Sequence, residues 1–186
     1  MRPTHALAAA ALTGMALALA GSLPGNSTSG KVAGAASPEW AEVAWPFPDD
    51  PWAKGKAFRC RARHCGTEVT LYLRPKIGAC NCVTTVDDDD VERIGDLDLL
   101  GAHHASLGPG RPIRVRWMNG RSRAYARPAA QAAPRSALAI AFHDRCDMIV
   151  ATAAVAGEDP AAQEQTVLDF LNGEAVLRWA EVRLGL

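Results

Sequence analysis

The stretch Phe58–Val86, FRCRARHCGTEVTLYLRPKIGACNCVTTV, carries the clearest strand pattern of the chain and four of its five cysteines. Apolar residues at 69, 71 and 73 alternate with residues 70, 72 and 74. This period of two is typical of a half-buried strand. The pattern therefore predicts a strand over 68–74. Residues 56–60 can form its antiparallel partner strand, with residues 61–64 as the turn of the hairpin.

The cysteines admit three interpretations, which involve Cys60, Cys65, Cys80, Cys82 and Cys146. In the first, Cys60 pairs with Cys65 across the turn and either Cys80 or Cys82 pairs with Cys146, because small exported domains are commonly stapled. In the second, Cys60, Cys65, Cys80 and Cys82 bind one zinc or Cu(I) ion as thiolates. In the third, Cys80 and Cys82 form a strained, easily reduced pair. We favour the first interpretation, which needs no cofactor.

The N-terminal segment predicts export. Residues 1–20 combine a basic start at Arg2 with an apolar run ending in an Ala-x-Ala sequence, which is typical of a cleaved secretory signal. The run is short for a bilayer span of roughly 20 apolar residues, so we expect no transmembrane anchor after cleavage. Residues 21–52 are expected to form a flexible lead and a Pro/Trp-rich strap over the domain, or alternatively a partner-docking strip. Residues 53–186 are expected to form a single domain.

A second informative stretch, RPIRVRWMNGRSRAYAR at 111–127, is rich in arginine. Asn119-Gly120 is a favoured dipeptide for a two-residue hairpin turn. That turn predicts Arg116 opposite Arg123 and Arg114 opposite Tyr125, on a positively charged outer face. The candidate anion-binding residues on it are Arg114, Arg116, Arg121, Arg123 and Tyr125. The alternative is a solvated face balanced by the protein's own acidic segment 87–98.

The remaining elements predict the fold class. Asp87–Asp90 precede apolar residues at helical spacing, which predicts a capped helix N-terminus, with a calcium loop as the alternative. Residues 136–155 predict a second hairpin with loop 143–145, placing Cys146 opposite Phe142 on the buried side.

Two helices are expected after residue 158. Together these elements predict an α+β domain, with an antiparallel sheet of about five to six hairpin-connected strands and helices packed on one face. Its element order is similar to that of the Mog1/PsbP sandwiches.

Three segments together resemble a group of uncharacterised exported bacterial proteins. They are FRCRARHCGTEVTLYLRPKIGACNC, FHDRCDMIVATA and VLDFLNGEAVLRWAEV, and the resemblance spans about residues 45–186. It implies export and a single domain. It implies no activity and no site residue, because the group has none to transfer.

Composition and motifs favour a binding module over a nucleic-acid binder or an enzyme. Twenty acidic and twenty basic residues balance, which disfavours a nucleic-acid binder. No nucleophile elbow, H-E-x-x-H sequence, phosphate loop or dinucleotide fingerprint occurs, so we lean away from an enzyme. We expect a periplasmic or secreted, disulfide-stabilised binding or assembly module of the cell envelope. Its expected partner is an anionic envelope component or an acidic protein surface, and the alternative is a periplasmic metal-binding or thiol-redox factor.

Overall fold

The computed structural model describes residues 38–79, 85–127 and 134–186 as an eight-stranded antiparallel sheet with small helices. The predicted signal at 1–20 and lead at 21–37 lie outside the described residues. The strands are β1 (Trp40–Val43), β2 (Lys56–Cys60), β3 (Val69–Lys76), β4 (Ala105–Ser106), β5 (Arg111–Val115), β6 (Met118–Ala126), β7 (Ser136–Asp144) and β8 (Asp147–Val155). Their order is β1-β2-β3-β8-β7-β6-β4, and β5 also pairs with β6. The α+β class is therefore confirmed.

The predicted strand count was too low because two edge strands carry little sequence signal. β1 forms inside the proline- and tryptophan-rich segment that was expected to be a strap, and β4 has only two residues. The pairing of β2 with β3 is confirmed, with Cys60 opposite Val69 and Phe58 opposite Leu71. β3 then pairs along its whole length with β8, which makes it an interior strand.

Helices cover both faces of the sheet, which corrects the expectation of one covered face. They are α1 (Ala62–Cys65), α2 (Asp88–Ile94), α3 (Glu164–Leu171) and α4 (Glu174–Leu184), with short 3-10 helices at Leu97–Leu100 and Ala161–Gln163. α3 and α4 pack on the face that carries Leu138, Ile140 and Phe142. α2 packs on the opposite face, against the alanines at 137, 139 and 141. Small residues there let the helix approach the sheet closely.

The β7–β8 hairpin has a tighter turn than the sequence predicted. Asp144 pairs with Asp147 and Phe142 pairs with Ile149, so the turn is Arg145-Cys146 rather than residues 143–145. Arg145 occupies the left-handed region, with φ of 52°, as the first residue of the turn. Cys146 therefore lies in the turn and not opposite Phe142 in the core.

The acidic segment begins a helix as predicted. Asp87 caps α2 by accepting from the Asp90 amide at 2.8 Å, and the Asp90 carboxylate accepts from the Asp87 amide in return. Carboxylates in a first helical turn also face the positive end of the helix dipole. None of the helices in the described part of the chain has the length and apolar character needed to cross a membrane.

Candidate functional surface

The arginine-rich hairpin forms with a different register from the predicted one. Val115 pairs with Met118 and Ile113 with Gly120, so the turn is Arg116-Trp117 and Asn119-Gly120 lies within β6. Arg116 adopts a φ of 53° at the first turn position. The predicted pairs Arg116–Arg123 and Arg114–Tyr125 are therefore wrong, and Arg114 lies opposite Asn119 instead.

Gly120 explains why the turn signal misled the prediction. A side chain at this position would overlap the carbonyl oxygen of Ala141 and come within 2.7 Å of Phe142 Cβ on the neighbouring strand. Carbon atoms normally pack at about 3.5–4.0 Å. The glycine is thus required for the close approach of β6 to β7 and not for a turn.

Two of the predicted anion-binding arginines are paired with the acidic helix. The Arg121 guanidinium contacts the Asp88 carboxylate, and Arg123 donates to Glu92 at 2.8 Å. Asp88 also accepts from the Gly110 amide at 2.9 Å. The hydrogen bonds from Arg121 and Gly110 hold the pKa of Asp88 below its ordinary value. The acidic segment thus balances this part of the hairpin, as the alternative interpretation expected.

Tyr125 lies on the same face but is buried under α2, with only 2% of its surface exposed. Burial raises the pKa of its hydroxyl, against the effect of the nearby Arg123 guanidinium. The hydroxyl has no hydrogen bond of normal geometry among the described residues. A buried hydroxyl of this kind cannot contact a partner at the surface.

The end of the β5–β6 hairpin remains exposed. Arg114 and Arg116 are both exposed, and Trp117 between the strands is 50% exposed. Arg114 donates to Asn119 Oδ1 at 3.2 Å, whereas its guanidinium has no carboxylate partner in the described part of the chain. The Arg116 amide donates to Asn172 Oδ1 at 2.8 Å, which fixes the turn against the loop between α3 and α4. We call Arg114, Arg116 and Trp117 the hairpin tip.

The cysteines are confirmed as disulfide-forming where the structure describes them. Cys60 and Cys65 form a disulfide that spans α1. Cys146 is also disulfide-bonded. Cys80 and Cys82 lie outside the described residues, so the predicted pairing of one of them with Cys146 falls outside the described part of the chain.

The alternative metal site needs all four sulfurs of residues 60, 65, 80 and 82 as thiolates. The Cys60–Cys65 disulfide occupies two of them in this structure. Within the ranges that the structure describes, no group of three or more histidine, cysteine, aspartate or glutamate side chains is arranged to hold a metal ion.

A buried charged cluster lies on the same sheet face as α2 and was missed by the sequence analysis. Arg74 and Lys76, on β3, are each 2% exposed. Lys76 Nζ lies 2.6 Å from Asp96, and Arg74 lies 2.5 Å from Asp50 in the strap. Trp52 covers the Lys76 ammonium at 4.3 Å. The predicted half-buried strand 68–74 put Arg74 on the face opposite its apolar residues and did not include Lys76; the strap that covers this face comes from distant sequence.

The pKa values of the two carboxyl groups in this cluster are shifted in opposite directions. Burial raises the pKa of Asp96, although the Lys76 ammonium and the Arg74 guanidinium favour its ionised form. Burial also opposes the ionisation of Asp50, but hydrogen bonds from Arg74 and the Trp52 amide outweigh it and lower its pKa. Tryptophans and aspartates in the strap, facing cations on a strand, are the sequence signal that could have revealed the cluster.

The strap also packs on the sheet through its aromatic residues. Trp45 and Phe47 make edge contacts with Tyr72 of β3, with ring centroids 5.9 and 4.9 Å apart. Trp40, in β1, stacks on Phe170 of α3 at 4.6 Å on the other side of the sheet. These contacts fit the strap interpretation, because they place the aromatic surface against the domain.

Comparison with protein-family models finds no match for this chain, and comparison with curated proteins finds no similar sequence.

Proposed function

We propose that the protein is an exported, disulfide-stabilised, non-enzymatic binding or assembly module of the cell envelope that contacts an anionic surface through the hairpin tip. The observation that carries this proposal is the contrast within one hairpin. Arg121 and Arg123 are paired with α2, whereas the exposed Arg114 and Arg116 have no carboxylate partner among the described residues. An anion can therefore bind the guanidinium groups of the hairpin tip without breaking an ion pair within the described part of the chain.

Trp117 indicates which anionic surface fits best. Tryptophan is enriched at membrane interfaces, where its apolar ring and its polar N–H can both be satisfied. A half-exposed tryptophan in a turn that also carries Arg114 and Arg116 suits the head-group region of an anionic lipid surface. Arginine and tryptophan are also common anchors of protein interfaces, so an acidic protein is the competing partner.

Export is supported by the signal-like residues 1–20 and is compatible with the Cys60–Cys65 disulfide. Disulfides persist mainly in oxidising compartments. Cell fractionation combined with N-terminal sequencing of the mature protein tests this part. A full-length protein that stays in the cytoplasm with its first 20 residues intact would contradict it.

The binding test uses vesicles containing phosphatidylglycerol. The R114S/R116S variant is compared with R178S/R183S, which removes the same charge from exposed positions on α4. A basic residue near an anionic membrane contributes about 1 kcal/mol, so we expect about 30-fold weaker binding for the tip variant and little change for the control. Raising the salt concentration should weaken wild-type binding.

The proposal fails if vesicle binding ignores salt or is equal in the two variants. Trp117→Ala separates the two partner classes. It should weaken vesicle binding further if the indole enters the head-group region, and binding to an acidic protein without any vesicle affinity would favour the competing partner.

A further inference from the structure

A second positively charged feature lies at the other end of the sheet, beside the Cys60–Cys65 disulfide. It is a groove of about 210 Å³ whose lining includes Arg59, Arg61, Arg63, His64 and Glu39. Ala41 and Val43 of β1 complete the lining. We call it the disulfide groove. Cys60 pairs with Val69 of β3, which pairs with Val155 of β8, so the disulfide lies at this end of the two strands. The hairpin tip lies at their opposite ends.

The disulfide fixes the groove wall without help from a core. α1 contributes no buried residue, so hydrophobic packing does not hold it in place. Cys60 is fully buried at the end of β2, and its bond to Cys65 ties the exposed turn to the sheet. Because the disulfide restrains this backbone, ordering the backbone that carries the arginines costs little when a ligand binds.

The guanidinium groups of the groove are only weakly neutralised. Arg61 makes no side-chain hydrogen bond or ion pair with any described residue. The ion pair of Arg59 with Glu68 is long, at 3.9 Å, and both groups are about half exposed. Exposed pairs of this kind contribute little. Three guanidinium groups thus share the groove with one lining carboxylate, that of Glu39.

Arg63 is oriented by its neighbour. Its Nε donates to His64 Nε2 at 2.7 Å, while Glu39 lies 3.2 Å from the same nitrogen. The imidazole can accept from Arg63 only when that nitrogen carries no proton. The terminal N–H groups of Arg63 remain available, together with those of Arg59 and Arg61, for one ligand.

We infer that the disulfide groove binds the phosphate group of a small ligand. Guanidinium forks match the oxygen atoms of phosphate in charge and geometry. The volume of about 210 Å³ suits a phosphate or diphosphate group and is below the range of pockets for drug-sized ligands. This site uses none of the residues of the hairpin tip, so the two proposals stand independently.

Titration calorimetry of the full mature chain with inorganic pyrophosphate at low salt tests the inference. We expect the R61S/R63S variant to bind at least tenfold more weakly, while R178S/R183S, with the same charge change at exposed positions of α4, binds like wild type. Both substituted positions are exposed and contribute nothing to the core, and the circular dichroism spectrum of each variant confirms that it is folded.

Vesicles containing phosphatidylglycerol form a second arm, which distinguishes a free phosphate from a lipid head group. Pyrophosphate binding that depends on Arg61 and Arg63 identifies a soluble phosphate ligand, and a vesicle affinity that depends on the same two residues identifies a lipid phosphate. The inference is overturned if neither probe binds, or if R61S/R63S binds both probes as tightly as the α4 control.

Discussion

The register of the β5–β6 hairpin makes a sharp prediction about Gly120. An added Cβ would lie 2.7 Å from Phe142 Cβ and would also overlap the Ala141 carbonyl, about 1 Å closer than carbon atoms normally pack. Because the obstacle includes the backbone of a central strand, it cannot rotate away. We expect Gly120→Ala to lower the free energy of unfolding by about 2 kcal/mol, within the range for overpacking. Gly120→Asn should cost more, because its side chain is larger.

Arg116 gives the complementary prediction at the true turn. A left-handed residue with a Cβ costs about 1–2 kcal/mol, and glycine costs about 0.5–1 kcal/mol in unfolded-state entropy. Arg116→Gly should therefore leave the free energy of unfolding unchanged or raise it by up to about 1.5 kcal/mol. In the alternative register Arg116 would lie in a strand, and the same change would be destabilising.

Urea unfolding, followed by tryptophan fluorescence with the disulfides intact, measures both effects. Gly157→Ala is the matched control, because its nearest neighbour, Thr67 Oγ1, is 3.5 Å away and gives ordinary contact. For a domain of this size, 2 kcal/mol corresponds to a fall in Tm of about 4–8 °C. A Gly120→Asn protein as stable as wild type, together with a destabilised Arg116→Gly protein, would refute the register, since asparagine is well tolerated in a two-residue hairpin turn.

Three further predictions concern charge and the disulfide. Because the pKa of Asp88 is lowered in the folded state, its carboxylate stabilises the fold above the unfolded pKa of about 3.9, and that stabilisation is lost as the pH falls through the lower folded pKa. The free energy of unfolding, measured between pH 2 and 7, should therefore fall with decreasing pH less steeply in Asp88→Asn than in wild type. Parallel curves for the two proteins would contradict this. Lys76→Met should cost about 3 kcal/mol, because the largely buried carboxylate of Asp96 would keep, among the described residues, only its longer contact with Arg74. Adding Asp96→Asn should recover most of that loss, whereas additive costs would argue against coupling. Replacing Cys60 and Cys65 with serine should lower stability by about 2 kcal/mol, because the closed loop is short, and an unchanged urea midpoint would show that the cross-link constrains little.

Local patterns in the sequence predicted what local physics determines. The strand at β3 followed from alternating apolar residues, the cap of α2 from acidic residues ahead of an apolar stripe, and the Cys60–Cys65 bond from two cysteines flanking one short turn. Each of these depends on neighbours within a few residues. The same cannot be said of Gly120, whose role depends on the backbone of Phe142, a residue brought alongside it by the pairing of β6 with β7.

The sequence did not predict the ion-pair partners of the charged residues, because these partners are also distant in sequence. Arg121 and Asp88 are 33 positions apart, and Arg74 and Asp50 are 24 apart. Periodicity assigns a side chain to a face of the sheet, but it does not say which helix or strap covers that face. Tyr125 was therefore predicted on an outer face, although it is 2% exposed in the folded chain.

The distribution of ion pairs favours anion binding at the two ends of the sheet over binding at Arg121. Over the whole chain acids and bases balance, yet many of the acids are used internally, by α2 against β6 and by Asp96 against β3. A ligand that bound Arg121 would have to break its ion pair with Asp88 and its 2.9 Å hydrogen bond to the Gly110 carbonyl oxygen. Losing such bonds to a charged group costs about 1.5–3 kcal/mol each. A ligand at Arg61 or Arg116 breaks no comparable bond among the described residues, so an anion of equal charge should bind there first.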